Sequence, residues 1–224
     1  MTFDPAIITD NLDRIAAGLG LTIVLWLSGT VAGMVLGFVM ALVQRIRNPV
    51  ARGLVACYQS IFRGTPFLVQ VFVLYYGGPL VGLMLSAETV GVLGLALYSG
   101  AYFTAIFQGG LAAVPTGQVE AARIAGFTGW QILRHVGLPQ MMITIAPALV
   151  GTFIVMVKET AILSVATVPE LTAVLSGIGS ATFTFVETLL VLVLCYWVLV
   201  GLTTWAGARI ERRMQRHLRN GATS

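Results

Sequence analysis

Residues 116–140 read TGQVEAARIAGFTGWQILRHVGLPQ, a long polar stretch set between apolar runs, and its reading decides the fold. Pro115 stands just before it, and Thr128 with Gln131 forms the T-x-x-Q of a capping box for a second short helix. Gly137 and Pro139 are residue types that end helices. The pattern predicts helix, turn at Gly126, short helix, stop.

On either side of this stretch the chain is apolar. It is 57% hydrophobic and 10% charged with mean hydropathy +0.90, far more apolar surface than one soluble core of 224 residues needs, so lipid is its main solvent. Uncharged runs mark the spans, because an ionised side chain at the bilayer centre costs about 2.5–3.5 kcal/mol. Runs 15–44, 64–87, 89–119, 136–157 and 188–208 each exceed the roughly 20 residues that a spanning helix requires, and five spans are predicted. The run 160–169 is too brief to cross. With Pro169 and the Gly-rich SGIGS of 176–180 it reads as a half-helix or loop, flanked by Glu170 and Glu187.

Arginine placement sets the orientation. Arg45, Arg47, Arg52 and Arg63 follow the first span, Arg123 and Arg134 the third, and Arg209, Arg212, Arg213, Arg216 and Arg219 the fifth; the other side holds Arg14. The expected topology is N-terminus outside and C-terminus inside, with 116–140 in the cytoplasm. Asp4, Asp10 and Asp13 precede the first span against Arg14, the reverse of a secretory signal's basic start, so no cleaved signal is expected. The net charge of +4 resides on arginines at the ends of apolar runs, not interleaved with exposed aromatics, which argues against nucleic acid as partner. Cys57 and Cys195 have no C-x-x-C spacing, and neither a disulfide framework nor a metal site is indicated.

Within the first span, Gly29, Gly33 and Gly37 share a face and Gly20 lies earlier, a pattern for close helix contact. The segment NPVARGLVACYQSIF, 48–62, reads as a short amphipathic helix on the inner surface, started by Pro49 and with Arg52 toward water. FRGTPFLVQ, 62–70, breaks the chain at Arg63, Gly64 and Pro66, either to start the second span inside the protein or as an ordinary junction. In the third span Tyr98 and Tyr102 share a face, to line a polar path or to bond neighbouring helices.

No catalytic constellation is present in the sequence. His135 and His217 lack a Ser, Cys or Asp partner in a motif, and no G-x-x-x-x-G-K loop offers nucleotide hydrolysis. The informative intramembrane residues are Lys158, Glu159 and Thr160, which interrupt a long apolar stretch; Lys158 lies 19 residues beyond Pro139, roughly 28 Å along a helix. Ionisable residues at that depth mark a substrate path, or else snorkel to the outer interface.

Residues 117–140 closely resemble the EAA loop of membrane subunits of ATP-binding-cassette (ABC) importers, with Glu120, Ala121, Ala122, Gly126, Leu138 and Pro139 at the motif positions. FRGTPFLVQ at 62–70, PTGQVEAA at 115–122 and KETAILSVATVPELT at 158–172 narrow the resemblance to permeases for polar amino acids. It implies an all-α integral membrane protein of the ABC type I importer permease fold in a bacterial inner membrane. The implied divisions are a periplasmic segment 1–14, a transmembrane domain 15–208 and a basic cytoplasmic tail 209–224. The implied partners are a second permease subunit, identical or related, two cytoplasmic ATPase subunits that hold the ATP and magnesium, and a periplasmic binding protein. Glu120 would then bond to the ATPase groove, Gly126 make the turn, and Ile124, Phe127 and Trp130 pack either that joint or this subunit's own helices. Substrate-path candidates are Gln70, Tyr102, Lys158, Glu159 and Thr160.

One motif departs from the family. Where members often carry A-Y-x-x-E-x-x-R-G-G, this chain has Ala101, Tyr102, Ala105, Gln108, Gly109 and Gly110, so both charged positions are neutral. Their joint loss leaves no unpaired charge, and points to one partner of an asymmetric pair. The competing readings are an ATPase-independent secondary transporter or channel, for which no inverted repeat is evident, and a non-transporting scaffold.

Overall fold

The computed structural model describes residues 6–221, with side chains through residue 213. Asp4 and the side chains of Arg216, His217 and Arg219 therefore lie outside the described residues. After one helical turn at Ala6–Thr9 the elements are α1 (Leu12–Val43), α2 (Pro49–Gly64), α3 (Phe67–Val81), α4 (Ala87–Ala112), α5 (Thr116–Ile124), α6 (Gly129–Ala166), α7 (Leu171–Thr182) and α8 (Phe185–Gly221). Four of them, α1, α4, α6 and α8, are long and apolar enough to cross a membrane.

The second predicted span takes a different form. No straight helix fills 64–87; α2 and α3 meet at 107° and together make the fifth candidate crossing. Thr65 and Pro66 are both extended at the bend, because a proline ring drives the residue before it out of the helical region. Gln70 repairs the break: its Nε2 donates to the carbonyls of Phe62 and Thr65 and to Thr65 Oγ1, at 2.9–3.0 Å. The short helix expected at 48–62 forms at Pro49–Gly64. Asn48 caps it, Pro49 occupies its first turn, and its Tyr58 hydroxyl donates to Leu97 O of α4 at 2.6 Å. Gly100 admits that hydroxyl, which would stand 2.6 Å from a Cβ there.

The glycine face of α1 packs along α4. A Cβ on Gly29 would stand 2.6 Å from Leu95 Cβ, and one on Gly37 2.5 Å from Phe103 Cβ; Gly20, off this face, meets nothing within 4 Å. With apolar lipid outside, such close backbone contact supplies the packing that holds the pair. The buried hydroxyls of Ser99 and Thr104 bond back along their own helix, to Leu95 O and Gly100 O.

One apolar cluster, around Ala41, Phe103, Phe107, Met141 and Ile145, fills the end of the bundle nearest residues 116–140. A second, around Leu25, Phe67, Val71, Val90 and Leu163, fills the opposite half. Trp26 crosses between α1 and α6, donating from Nε1 to Phe153 O.

The expected stop at Gly137 and Pro139 does not occur. α6 runs unbroken from Gly129 to Ala166, through a wide π turn at Leu133–Gly137 and ending in a tight 3-10 stretch at Thr160–Ala166. In the wide turn Leu138 N–H bonds Leu133 O, and Pro139, having no N–H, falls in the first turn of the α segment that follows. The extra residue absorbs the missing donor, so the chain continues as a helix.

Candidate coupling loop and translocation path

The loop between α4 and α6 is built from local signals. Its first helix, α5, closes in a Schellman arrangement: Phe127 N–H bonds Ala122 O and Gly126 N–H bonds Arg123 O, both at 3.0 Å. Gly126 takes φ +82°, which a side chain would strain. The predicted capping box is present, with Thr128 N–H on Gln131 Oε1 at 2.8 Å and Gln131 N–H on Thr128 Oγ1 at 3.3 Å. Gln140 Nε2 donates to Gln118 Oε1, pinning α5 to α6.

What the loop presents is an exposed, mixed surface. Glu120 is exposed and has no bonding partner among the described residues. Ile124 is 88% exposed and Trp130 61%, while Phe127 is partly covered by an edge contact with His135. Of the two readings for these apolar residues, own-helix packing does not hold for Ile124 and Trp130. Ala121 is exposed and Ala122 partly so, Leu138 packs on the nearby apolar cluster, and Pro139 is exposed.

At the other end of α6, Lys158 is exposed, Glu159 half-buried and Thr160 fully buried. Thr160 Oγ1 bonds Val157 O at 2.7 Å and Tyr196 Oη at 3.2 Å, so its hydroxyl is engaged inside the fold. Gln70 Nε2 is likewise engaged at the α2–α3 bend, while its Oε1 is buried without a hydrogen-bond partner. Tyr196 also bonds Thr172 Oγ1 and donates to Glu170, whose carboxylate is wholly buried and accepts the N–H groups of Thr172 and Ala173. Glu170 is thus the N-cap of α7, anchored to α1 through Leu171 N–H on Thr22 Oγ1.

Tyr102 does face open space, with a partner that the sequence had placed elsewhere. The Arg63 guanidinium lies 5.6 Å from the Tyr102 ring centroid, and both line a cleft of about 590 Å³ with Gln59, Ser60 and Ala56. Tyr102 is ten residues short of the end of α4 at Ala112, about 15 Å along the helix. Arg63, exposed on the last turn of α2, therefore stands beside Tyr102, and Arg45, Arg47 and Arg52 carry the charge bias after α1. Tyr102 continues into a second cleft of about 260 Å³ beside Tyr98, Gly151, Thr152 and Val155 of α4 and α6. The two tyrosine hydroxyls are 3.2 Å apart. Arg63, Tyr102 and Tyr98 form one polar stripe. The available signal was the helix break at 64–66, which leaves an arginine on the last turn of α2, beside α4.

These features define a class: a multi-pass all-α membrane protein with a capped, protruding loop at one end of the bundle and a polar stripe deeper in it. The chain belongs to the family described as binding-protein-dependent transport system inner membrane component, whose model matches residues 33–216. It is 31% identical over 216 residues to the arginine transport system permease protein of Bacillus subtilis (strain 168), covering 96% of this chain and 99% of that one. A solved chain, from the crystal structure of an amino acid ABC transporter with histidines, is 34% identical, covers 95% of this chain and 100% of its own, and superposes with TM-score 0.87. A chain of the inward-facing MetNI methionine ABC transporter, 22% identical with TM-score 0.75 over 92% of this chain and 98% of its own, shares the fold.

Proposed function

We propose that this chain is the permease subunit of an importer for a polar amino acid, or a related compound such as an opine, moving it from periplasm to cytoplasm across a bacterial inner membrane. It works beside a second permease subunit, takes substrate from a periplasmic binding protein, and holds no catalytic site of its own; ATP and magnesium belong to two cytoplasmic ATPase subunits. The N-terminus lies outside and the C-terminus inside, so residues 1–14 are periplasmic, 15–208 transmembrane and 209–224 cytoplasmic.

A single observation carries this reading. α6 is one continuous helical segment, with the capped coupling loop at its start and Lys158 and Glu159 near its end. A push on the loop is transmitted along a packed rod, because packed elements move as units. Glu120, Ala121, Ala122 and Gly126, with Leu138 and Pro139 at the root of the rod, receive the push; the exposed Ile124 and Trp130 enter the ATPase groove. Lys158, Glu159 and Tyr102, joined by Arg63, line the path. Arginine meets a substrate carboxylate, and Glu159 meets an ammonium.

The test uses the reconstituted transporter with its ATPase and binding protein. ATP-dependent accumulation of a labelled amino acid in proteoliposomes is expected. Glu159→Gln raises the uptake KM for substrates bearing an ammonium about tenfold, the scale of one lost charged hydrogen bond, and the ATPase subunits still co-purify. An unchanged KM returns Lys158 and Glu159 to the membrane interface as a snorkelling pair.

A further inference from the structure

The coupling loop encloses a feature that its motif does not explain. Behind it, away from Ile124 and Trp130, lies a cavity of about 330 Å³ where α1, α4, α5 and α6 converge. Its wall is largely apolar, including Leu42, Leu111, Phe127 and Leu133, and two arginines also line it, Arg45 just beyond α1 and Arg123 on α5. Neither arginine's side chain has a hydrogen bond or ion pair among the described residues. A second cleft of about 320 Å³ shares Arg45 and Leu111 and adds Gln44 and Gln108. The Gln108 amide nitrogen is buried and has no hydrogen-bond partner. A buried unpaired donor is costly, and here it adjoins an unpaired cation.

We infer that these neighbouring cavities, which share Arg45 and Leu111, form a binding site for the headgroup of an anionic phospholipid of the leaflet that faces the coupling loop. Phosphate oxygens satisfy Arg45, Arg123 and the Gln108 amide, while the acyl chains leave along the apolar wall. A small hydrated anion would leave that wall wet, whereas a phospholipid matches both halves of the lining. Basic pockets between spans at a membrane face are the usual seat of such headgroups. The lipid would brace α5 against the ends of α1 and α4, tying the loop's position to membrane composition. The assignment of the leaflet rests on the orientation proposed above; the site itself does not.

The test uses the whole transporter in nanodiscs of phosphatidylcholine with increasing phosphatidylglycerol, read by native mass spectrometry of retained lipid and by substrate-stimulated ATP hydrolysis. The wild type is expected to retain phosphatidylglycerol and to hydrolyse faster as its fraction rises. In Arg45→Gln/Arg123→Gln the affinity for phosphatidylglycerol falls about thirty-fold, the combined share of two arginines at an anionic surface, and the activity loses its dependence on lipid. Arg47→Gln/Arg52→Gln, an equal charge change outside the cavity, retains both. Equal loss in the two double variants would make the effect general surface charge and overturn the site. Unchanged retention in Arg45→Gln/Arg123→Gln overturns it too, as does activation of the wild type by inorganic phosphate in place of the lipid. Failure of the ATPase subunits to co-purify with that variant in every lipid would assign the arginines to the ATPase contact instead.

Discussion

A transporter carrying Glu120→Lys inserts in the membrane at the wild-type level and loses at least about a hundred-fold of its ATP-driven uptake, the scale set by breaking one partner of a buried charge pair. The argument begins with the loop's geometry. Glu120 is on α5, exposed and without a partner in its own chain among the described residues, so the substitution disturbs no internal bond. α5 keeps its Schellman closure and its link to Gln140, and the fold is indifferent to the change. The damage falls on the joint with the ATPase, where a carboxylate expected to accept a hydrogen bond becomes a cation. Glu120→Gln, which keeps the shape and an acceptor oxygen, retains part of the activity. The measurements are membrane-fraction quantity, uptake and substrate-stimulated ATP hydrolysis. Normal coupled hydrolysis in Glu120→Lys would remove Glu120 from the joint.

The second large effect lies in the α1–α4 seam. Gly33→Val should destabilise the subunit by about 3 kcal/mol, the upper range for overpacking a filled interface, and lower its yield in the membrane. A Cβ at Gly33 would overlap Ser99 Oγ and stand 2.8 Å from Ala96 O and 3.0 Å from Gly100 N. Two of these three are backbone atoms that cannot move unless the helices part. Gly20→Val is the matched control, since nothing lies within 4 Å of a Cβ there, and it stays within about 0.5 kcal/mol of the parent. Thermal unfolding of the purified subunit in detergent separates the two. Equal shifts would mean that the glycine face is not the contact that holds the bundle.

The coupling loop was legible because its physics is local. Thr128 and Gln131 cap each other from three residues apart, and Gly126 needs its left-handed backbone because of the residues on either side. The apolar runs were legible for a similar reason, since burial in lipid is a property of a run by itself. The polar stripe was only half legible. Tyr102 was readable as a polar residue within an apolar helix, but Arg63 has the sequence position of a boundary arginine, and only the 107° bend sets it over Tyr102. Gln70 and Thr160 were readable as polar residues at membrane depth, yet both bond inside the fold, Gln70 at the break between α2 and α3 and Thr160 with Tyr196.

The sequence by itself determined that the chain crosses a membrane several times, that 116–140 is a capped helix-turn-helix, and that the first span has a face made for close contact. Tertiary structure decided which surface meets that face, because Gly33 finds Ser99 and Ala96 on another helix and no spacing rule names them. It also decided that the loop and the Lys158–Glu159 pair share one rod. Gly137 and Pro139 taken alone are stop signals; a wide turn, packed beneath by Leu138 against the neighbouring helices, carries the helix through them.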